Sequence, residues 1–350
     1  MNETNNADNK PPPRLKAGIT FNLKKNTGAD TAAADAEAEF DDEGTIAAIA
    51  DALTAYGFTT ALFDAEEDLP ARLLRDRPDI VFNIAEGRGG RGREAQVPAI
   101  LNFLRIPFTG SDETTLCIAM DKALTKRLVA SYGVNTPKYA LVRYGVPSRE
   151  EAAFAYPVII KPNSEGSSKG VSDFSIAEDA AGMKRLLAEK MAAYRQDMLL
   201  EEYISGREFT VGVLGNGDDL RVFPPMEIIF NDKSHSIYSY EVKRNYRQYV
   251  RYECPPRIGA DLRKEIEDAA ETVYRVLECR DFARMDFRLS QAGRLYFIEI
   301  NPLAGLAPGY SDFPMIAEFC GMDYVALIRK IMDSALARYG LRHRGKAEQK

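Results

Sequence analysis

Only two histidines, His235 and His343, occur in the chain, too few for a histidine-based zinc site and poor material for a Ser-His-Asp triad. The cysteines Cys117, Cys254, Cys279 and Cys320 are widely spaced and form no CxxC pair, which removes the thiol-based metal and redox motifs. Met1 to Pro13 lacks a basic segment followed by an apolar one, so the sequence predicts a cytoplasmic protein with reduced thiols. No apolar run approaches the ~20 residues needed to span a bilayer, which argues against a membrane partner. A basic excess is missing as well. The net charge of -6 and pI near 5.3 argue against nucleic acid, and no interleaving of basic and aromatic residues stands out. There is no internal repeat. What remains is a 350-residue chain, 45% hydrophobic and 28% charged, which is the composition of a globular protein. That length corresponds to about two or three domains.

The first 14 residues are polar, include Pro11-Pro12-Pro13 and read as a disordered arm. Ala17 to Phe21 read as a strand, and the Ala/Asp/Glu-rich stretch Lys24 to Asp42 has no clear period, reading as a long loop or frayed helix. Ile46, Ile49, Ala50 and Leu53 then recur at helical spacing, with Gly57 placed to stop the helix. Apolar strands follow at Thr59 to Phe63 and Ile80 to Ile84, and this alternation predicts a small parallel α/β domain. Asp112 and Thr114 are candidate caps for the helical region holding Met120-Asp121-Lys122. A second unit contains the strand Val158 to Lys161, a Gly/Ser loop, a helix near Ala180 to Tyr194 and a strand pair around Asn216-Gly217. A Tyr/Ser/Lys/Arg-rich loop, Asn231 to Arg251, precedes a helix marked by Leu262, Ile266, Ala269, Val273 and Leu277. An amphipathic helix around Tyr324 to Tyr339 precedes a charged tail.

The chemistry concentrates in a predicted β-hairpin from Asp281 to Pro302. Side chains alternate along a strand, so Arg284 and Asp286 share one face while Ala283, Met285, Phe287 and Leu289 take the other. In the second strand Phe297, Glu299 and Asn301 share a face. An even loop at Ser290 to Gly293 predicts Asp286 opposite Phe297 and Arg284 opposite Glu299, all on one side, whereas an odd loop separates them. Two carboxylates and an amide among apolar strand formers are costly to bury unless coordinated or paired, so the residue set points to a hard cation such as Mg²⁺ beside a nucleotide.

Residues Pro157 to Val171 run a Val-Ile-Ile strand into a loop with two glycines and adjacent hydroxyls, able to lay backbone N–H groups over phosphate oxygens. This is not a Walker A motif, since no Lys-Ser/Thr pair follows a GxxxxG spacing. Taken alone it is an ordinary turn. Lys161 at the end of that strand adds weight, because it must find a partner or reach solvent, and a polyphosphate supplies one. Met198 to Thr210 joins two apolar strands through Ser205-Gly206 and carries Glu201, Glu202 and Glu208.

The ordered series Ile106-Pro107-Phe108-Thr109-Gly110-Ser111, Met120-Asp121-Lys122 with Thr125-Lys126, the Lys161 to Val171 loop, Glu201 to Phe209, Arg284-Met285-Asp286 and Glu299-Ile300-Asn301-Pro302 resembles the D-alanine-D-alanine ligase-like branch of the ATP-grasp family. The resemblance covers roughly residues 78–332. It implies an ATP-grasp fold of mixed α/β and α+β character in three domains: a parallel α/β domain over 15–115, a central domain over 116–210 and a C-terminal domain over 211–340. ATP would lie between the antiparallel sheets of the last two, and residues 341–350 would form the tail. It implies an ATP-dependent carboxylate-amine ligase that works through an acyl phosphate and releases ADP and phosphate. Its cofactors would be ATP and two Mg²⁺ ions, or Mn²⁺, its substrates small amino-acid-like molecules, and its assembly a homodimer as in many members.

Carried over, the resemblance places Lys122 and Lys161 at the ATP phosphates, Ser167 and Ser168 in the phosphate-covering loop, and Lys243 in a mobile loop on the nucleotide side. Glu165 would order the phosphate loop beside the substrate. Glu201 and the backbone of Glu202, Tyr203 and Ile204 would bind adenine, and Glu208 the ribose. Asp286, Glu299 and Asn301 would hold the metal ions, while Arg284 and the N–H of Gly305 would stabilise the oxyanion.

The family's Gly-Gly-x-Ser-x-Glu segment after strand one is replaced by Ile19-Thr20-Phe21-Asn22-Leu23-Lys24-Lys25, the histidine of its His-Gly pair by Glu86, and its Lys-Tyr by Lys243-Arg244. Asn301 to Asp312 also carries an extra residue. These departures alter the first substrate's pocket, and Asp41, Asp42, Glu43 and Glu86 all stand as partners for its ammonium. Simpler readings compete: a salt-bridge network with Arg284 for the metal trio, a solvated loop for Glu86 and Arg88 to Arg93, a surface lysine for Lys122, and a loose loop for Tyr238, Tyr240 and Tyr246. Cys254 reads as structural. Three functions remain: a ligase joining small amino acids, an authentic D-alanine-D-alanine ligase, and a non-catalytic ATP-binding regulator. The regulator would be expected to lose a metal ligand or the arginine. No general base for the attacking amine is identifiable.

Overall fold

The computed structural model describes residues 14–24, 39–146, 154–166, 175–231 and 249–343. Ser167, Ser168, Lys243 and the tyrosines of its loop lie outside these residues, as do nearly all of the expected arm and most of the charged tail.

Three parallel strands, β1 (Lys16–Phe21), β2 (Thr59–Asp64) and β3 (Ile80–Asn83), form a sheet in the order β2-β1-β3. Between β1 and β2 runs α1 (Glu43–Tyr56), started by the Asp42 side chain accepting from Thr45 N and closed by Gly57. Helices α2 (Leu69–Arg75) and α3 (Gln96–Phe103) complete this unit, and neither is evident from the hydrophobic spacing. The helical region near Met120 is two helices, α4 (Glu113–Met120) and α5 (Lys122–Ser131). Asp121 breaks them in an extended conformation while its side chain caps α5 at Leu124 N.

The central sheet is antiparallel in the order β4-β7-β5-β6, from β4 (Tyr139–Val142), β5 (Val158–Pro162), β6 (Ile176–Ala177) and β7 (Met198–Glu202). Helix α6 (Ala180–Tyr194) covers one face through Met183, Leu186, Leu187 and Met191. The other sheet runs β11-β10-β8-β12-β13, built from β8 (Gly206–Leu214), β10 (Met226–Phe230), β11 (Val250–Glu253), β12 (Phe282–Ser290) and β13 (Leu295–Asn301), with β9 (Arg221–Val222) paired to β8. Helix α7 (Ala260–Val276) lays Ile266, Ala270, Val273 and Tyr274 on Phe209, Val211, Met285 and Phe287. Each buried Ile or Val of this kind stabilises the fold by ~1.5–3 kcal/mol.

Two further helices, α8 (Asp312–Phe319) and α9 (Tyr324–Arg338), return the chain to the parallel sheet. Leu327, Ile328, Ile331 and Met332 of α9 join Ile46, Ile49 and Leu53 of α1 in one apolar core. At the end of α9, Arg338 meets the fully buried Asp281 at 2.7 Å and donates to Phe108 O at 2.8 Å. Asp281 also accepts from Gly110 N at 2.8 Å and Asn216 Nδ2 at 2.6 Å. This saturated junction ties the parallel unit to the large antiparallel sheet and fixes how the cleft between them is shaped. No described helix is long and apolar enough to cross a membrane.

Candidate active site

The hairpin register differs from the expected one. Phe287 pairs with Phe297, but Asp286 pairs with Glu299 and Arg284 with Asn301, because the register shifts between Asp286 and Phe287. Ile298 is therefore the extra residue of a β-bulge. Bulges flip the alternation locally, so Phe297 lies in the apolar core with Leu295 and Ile300 while Glu299 and Asn301 turn to the face of Arg284 and Asp286. Phe297 does not share the polar face, and Glu299 stands opposite Asp286 rather than Arg284. Lys126 Nζ donates to Ile298 O at 2.8 Å, so the carbonyl released from regular pairing keeps a partner.

Lys126 also reaches Glu201 at 2.8 Å, and Lys161 meets the same carboxylate at 3.2 Å. All three are buried. Burial works to raise the Glu201 pKa, yet the two lysines hold it below the ordinary carboxylate range. Burial pushes the Lys126 ammonium down to about 8 despite Glu201. Lys126 was not assigned a role in the sequence; its spacing of four from Lys122 on α5 was the available signal. Glu202 N and Tyr203 N are engaged by Lys138 O and Pro157 O, each at 2.9 Å, and Ile204 O accepts from Arg288 at 2.8 Å. Glu208 is held by Arg288 at 2.7 Å, and the Arg288 guanidinium lies 4.8 Å from the Tyr203 ring centre. Arg288, too, was missed, although it shares the Arg284-Asp286 face.

Lys122 Nζ donates to Glu165 O at 2.5 Å and stands 3.6 Å from Glu299. It thus bridges the start of the Gly/Ser loop to the metal-candidate strand. Glu165 accepts from Gln196 Nε2 at 2.7 Å and lies 3.5 Å from Arg93. Arg93, in the stretch open to a solvated-loop reading, is 6% exposed. It grips Glu39 through two nitrogens at 3.0 and 2.5 Å and donates to Ser164 O at 2.8 Å. Glu39 completes the link by accepting from Gly166 N at 2.7 Å. Neither Glu39 nor Glu94 stood out in the sequence, since both sit in charged stretches without a period.

Glu39, Glu94, Lys122 and Glu165 line a cleft with about 1000 Å³ of empty space, its open mouth included. One wall carries Arg284, Asn301, Gly305 and Asp312; the other carries Glu39, Glu86 and Glu94, with Lys122 and Glu165 between. A Cβ on Gly305 would come within 2.9 Å of Ser311 Oγ. Gly87 presents Glu86: it has φ 75°, its N–H donates to Asn22 Oδ1 at 2.8 Å, and a Cβ there would lie 2.0 Å from Arg93 O. Only glycine fits such a position. Of the four acidic candidates for the first substrate, Glu86 lines the cleft, Asp42 caps α1 and Glu43 is exposed in its first turn. Burial and then Asp42 raise the Asp41 pKa to about 7.

Arg284 donates to Asp286 at 2.9 Å and to Asp312 at 3.2 Å, while its Nε is buried without a hydrogen-bond partner among the described residues. Burial opposes its charge, and Asp286 and Asp312 outweigh burial, so the guanidinium stays protonated. Asn301 Nδ2 is likewise buried and unpartnered. No described residue therefore fixes that end of the amide, and a half-turn presents its oxygen. Among the described residues no three Asp, Glu, His or Cys side chains form a ready metal cage. Two carboxylates and an amide oxygen fit a cation that draws its other ligands from phosphates and water, as Mg²⁺ does.

Two antiparallel sheets joined to a parallel unit, with Lys122, Arg284 and acidic residues lining a cleft, define the ATP-grasp class of nucleotide-dependent ligases. The family model described as D-ala D-ala ligase C-terminus matches residues 128–333. A D-alanine–D-alanine ligase of Aquifex aeolicus is 34% identical over 288 residues, covering 81% of this chain and 92% of that protein. The uncharacterized protein y4sG of Sinorhizobium fredii is 32% identical over 296 residues, 82% of this chain and 86% of the other. The crystal structure of D-alanine–D-alanine ligase from Bacillus anthracis complexed with ATP shares the fold, with a TM-score of 0.72 at 20% identity over 93% of this chain and 99% of that one. The chain belongs to the D-alanine–D-alanine ligase family. It is accordingly an ATP-dependent ligase that forms a C–N bond, and the expected fold and reaction class are borne out.

Proposed function

We propose that this ligase joins two amino acids by activating the carboxylate of the first as an acyl phosphate. The observation that carries the reading is the polar face of the bulged hairpin. Asp286 stands across from Glu299, and the buried, unpartnered donors of Arg284 and Asn301 lie on the same face. Unpaired buried donors are costly in a folded protein unless a ligand completes them.

In this reading Asp286, Glu299 and Asn301 would hold Mg²⁺, which would supply neutralisation of phosphate charge where an anionic carboxylate approaches. Lys126 and Lys161, kept in place by Glu201, put positive charge on the nucleotide side, and Lys122 does so beside the phosphate loop. Arg284 is positioned by Asp286 and Asp312 and directs its remaining hydrogen-bonding capacity at the developing oxyanion, with Gly305 N–H opposite. Glu208 serves the ribose once Arg288 has fixed its rotamer. Ser167, Ser168 and Lys243 keep their roles in the covering loops. A carboxylate oxygen bonds to the γ-phosphorus as the bond to ADP breaks, the amine then bonds to the acyl carbon, and phosphate leaves with that oxygen while the amine gives up a proton. A cytoplasmic setting and a homodimer belong to the same reading, and sedimentation analysis checks the latter.

The test is phosphate release from Mg²⁺-ATP across D- and L-amino acids, singly and in pairs, with product masses read in parallel. Ligation of an amino-acid pair is expected. ATP turnover independent of any amino acid would overturn the reading. The name of the Aquifex aeolicus relative favours D-alanine at both positions, and a D-alanyl-D-alanine product in this assay would select that member of the class.

A further inference from the structure

The two walls of the cleft are not equally neutralised. On the hairpin wall Asp312 is bound by Arg284, which also holds Asp286, and Lys122 stands 3.6 Å from Glu299. On the opposite wall Glu39 is occupied by Arg93 and Gly166 N. Glu86 and Glu94 have no hydrogen bond or ion pair to any described residue, although Glu94 is only 8% exposed and both line the cleft. The cations within reach are committed elsewhere: Arg93 to Glu39, Ser164 O and Glu165, and Lys122 to Glu165 O and Glu299.

We propose that this wall recognises an amino-acid substrate carrying a second cationic group besides its α-ammonium, that is, a diamino acid, with Glu86 and Glu94 as its two anionic contacts. The inference rests on the ligase reading and deepens it by naming the substrate class of the first position. A neutral amino acid brings one ammonium, which neutralises one carboxylate and leaves the other unpaired in the cleft. Such a group is destabilising, whereas a diamino acid completes both. The raised pKa values point the same way: burial first, then Glu94 and Glu39, push Glu86 well up, and burial lifts Glu94 to about 7 against the pull of Arg93. Glu86 also stands where the family pattern has histidine, so this chain has placed an anion at a position otherwise neutral or basic.

Two readouts on the full chain test this. In Mg²⁺-ATP turnover, 2,3-diaminopropionate, 2,4-diaminobutyrate, ornithine and lysine, in both configurations, are compared with serine, homoserine, norvaline and norleucine, each paired with a panel of second amino acids. At least one diamino acid is expected to exceed its uncharged counterpart tenfold or more in kcat/KM, and Glu86→Gln and Glu94→Gln are each expected to cut that ratio about tenfold. Calorimetric titration of the same compounds without nucleotide, in buffers of differing ionisation enthalpy at pH 6.5, is expected to show tighter diamino-acid binding with net proton release. Ligation confined to neutral amino acids would overturn the proposal and leave the ligase reading intact. Preferential diamino-acid binding without any ligation would support the proposal and overturn that reading. Equal binding of charged and uncharged compounds, or a preference unchanged in both variants, would overturn the proposal.

Discussion

Glu201 and Glu94 are both nearly inaccessible carboxyl groups of one ligase, and their surroundings are opposite. Glu201 sits between Lys126 and Lys161 at 2.8 and 3.2 Å, and its pKa is held low. Glu94 faces a cleft among other carboxylates, with a pKa lifted to about 7 by burial. In the first arrangement both neutralising cations belong to the protein itself, and the ion pairs tie α5 and β5 to β7. The second is incomplete until something enters. Buried charge with its partners built in marks where the scaffold is fixed; buried charge without them marks where a ligand is expected.

Removing the anchor has the largest expected effect. Glu201→Ala strands two lysines in a buried space, and a loss of ~3–5 kcal/mol is expected in chemical unfolding. A loss below 1 kcal/mol would erase the contrast between the two sites. Next comes Arg284→Ala, which removes the donor aimed at the oxyanion. Turnover is expected to drop by ~10²–10³-fold, with nucleotide binding by calorimetry largely kept; loss of both together would make Arg284 structural instead. Glu299→Gln separates from it by weakening Mg²⁺ dependence, read as a raised Mg²⁺ requirement for turnover.

The smallest effect sharpens the comparison through pH. Glu94 is raised from an ordinary value of 4.5 to about 7. Between those values the folded protein keeps a proton that the unfolded chain has released, so this group's stabilising contribution is full below 4.5 and is lost as pH rises through about 7. Glutamine cannot ionise. Glu94→Gln is therefore expected to stabilise the protein at pH 8 by on the order of 1 kcal/mol and to change little at pH 5, as read from unfolding midpoints. The opposite order would mean that Glu94 is paired and charged in the folded state.

Much of the fold is legible in the sequence because periodicity survives in it. Ile46, Ile49 and Leu53 give α1, Gly57 ends it, and the Val158 to Lys161 run gives β5. Helices α2 and α3 escape because they are short and their apolar residues are too few to show a period. The polar residues of the hairpin are legible as chemistry, yet their register is not. Ile298 reads like any strand residue, and the bulge it forms depends on tertiary partners such as Lys126. Arg93 and Glu94 look like a solvated run because charge alone does not reveal burial, and only the fold brings Glu39 to Arg93. Sequence spacing showed Lys122 and Lys126 on one helix; packing set one toward Glu165 and Glu299 and the other into the Glu201 pocket.

Carboxylate activation is most directly tested by isotope transfer. With the first amino acid labelled by ¹⁸O in its carboxylate, the mechanism predicts one labelled oxygen in each phosphate released as the amide forms. Phosphate free of label would contradict it, since the carboxylate oxygen would then never have been bonded to the γ-phosphorus.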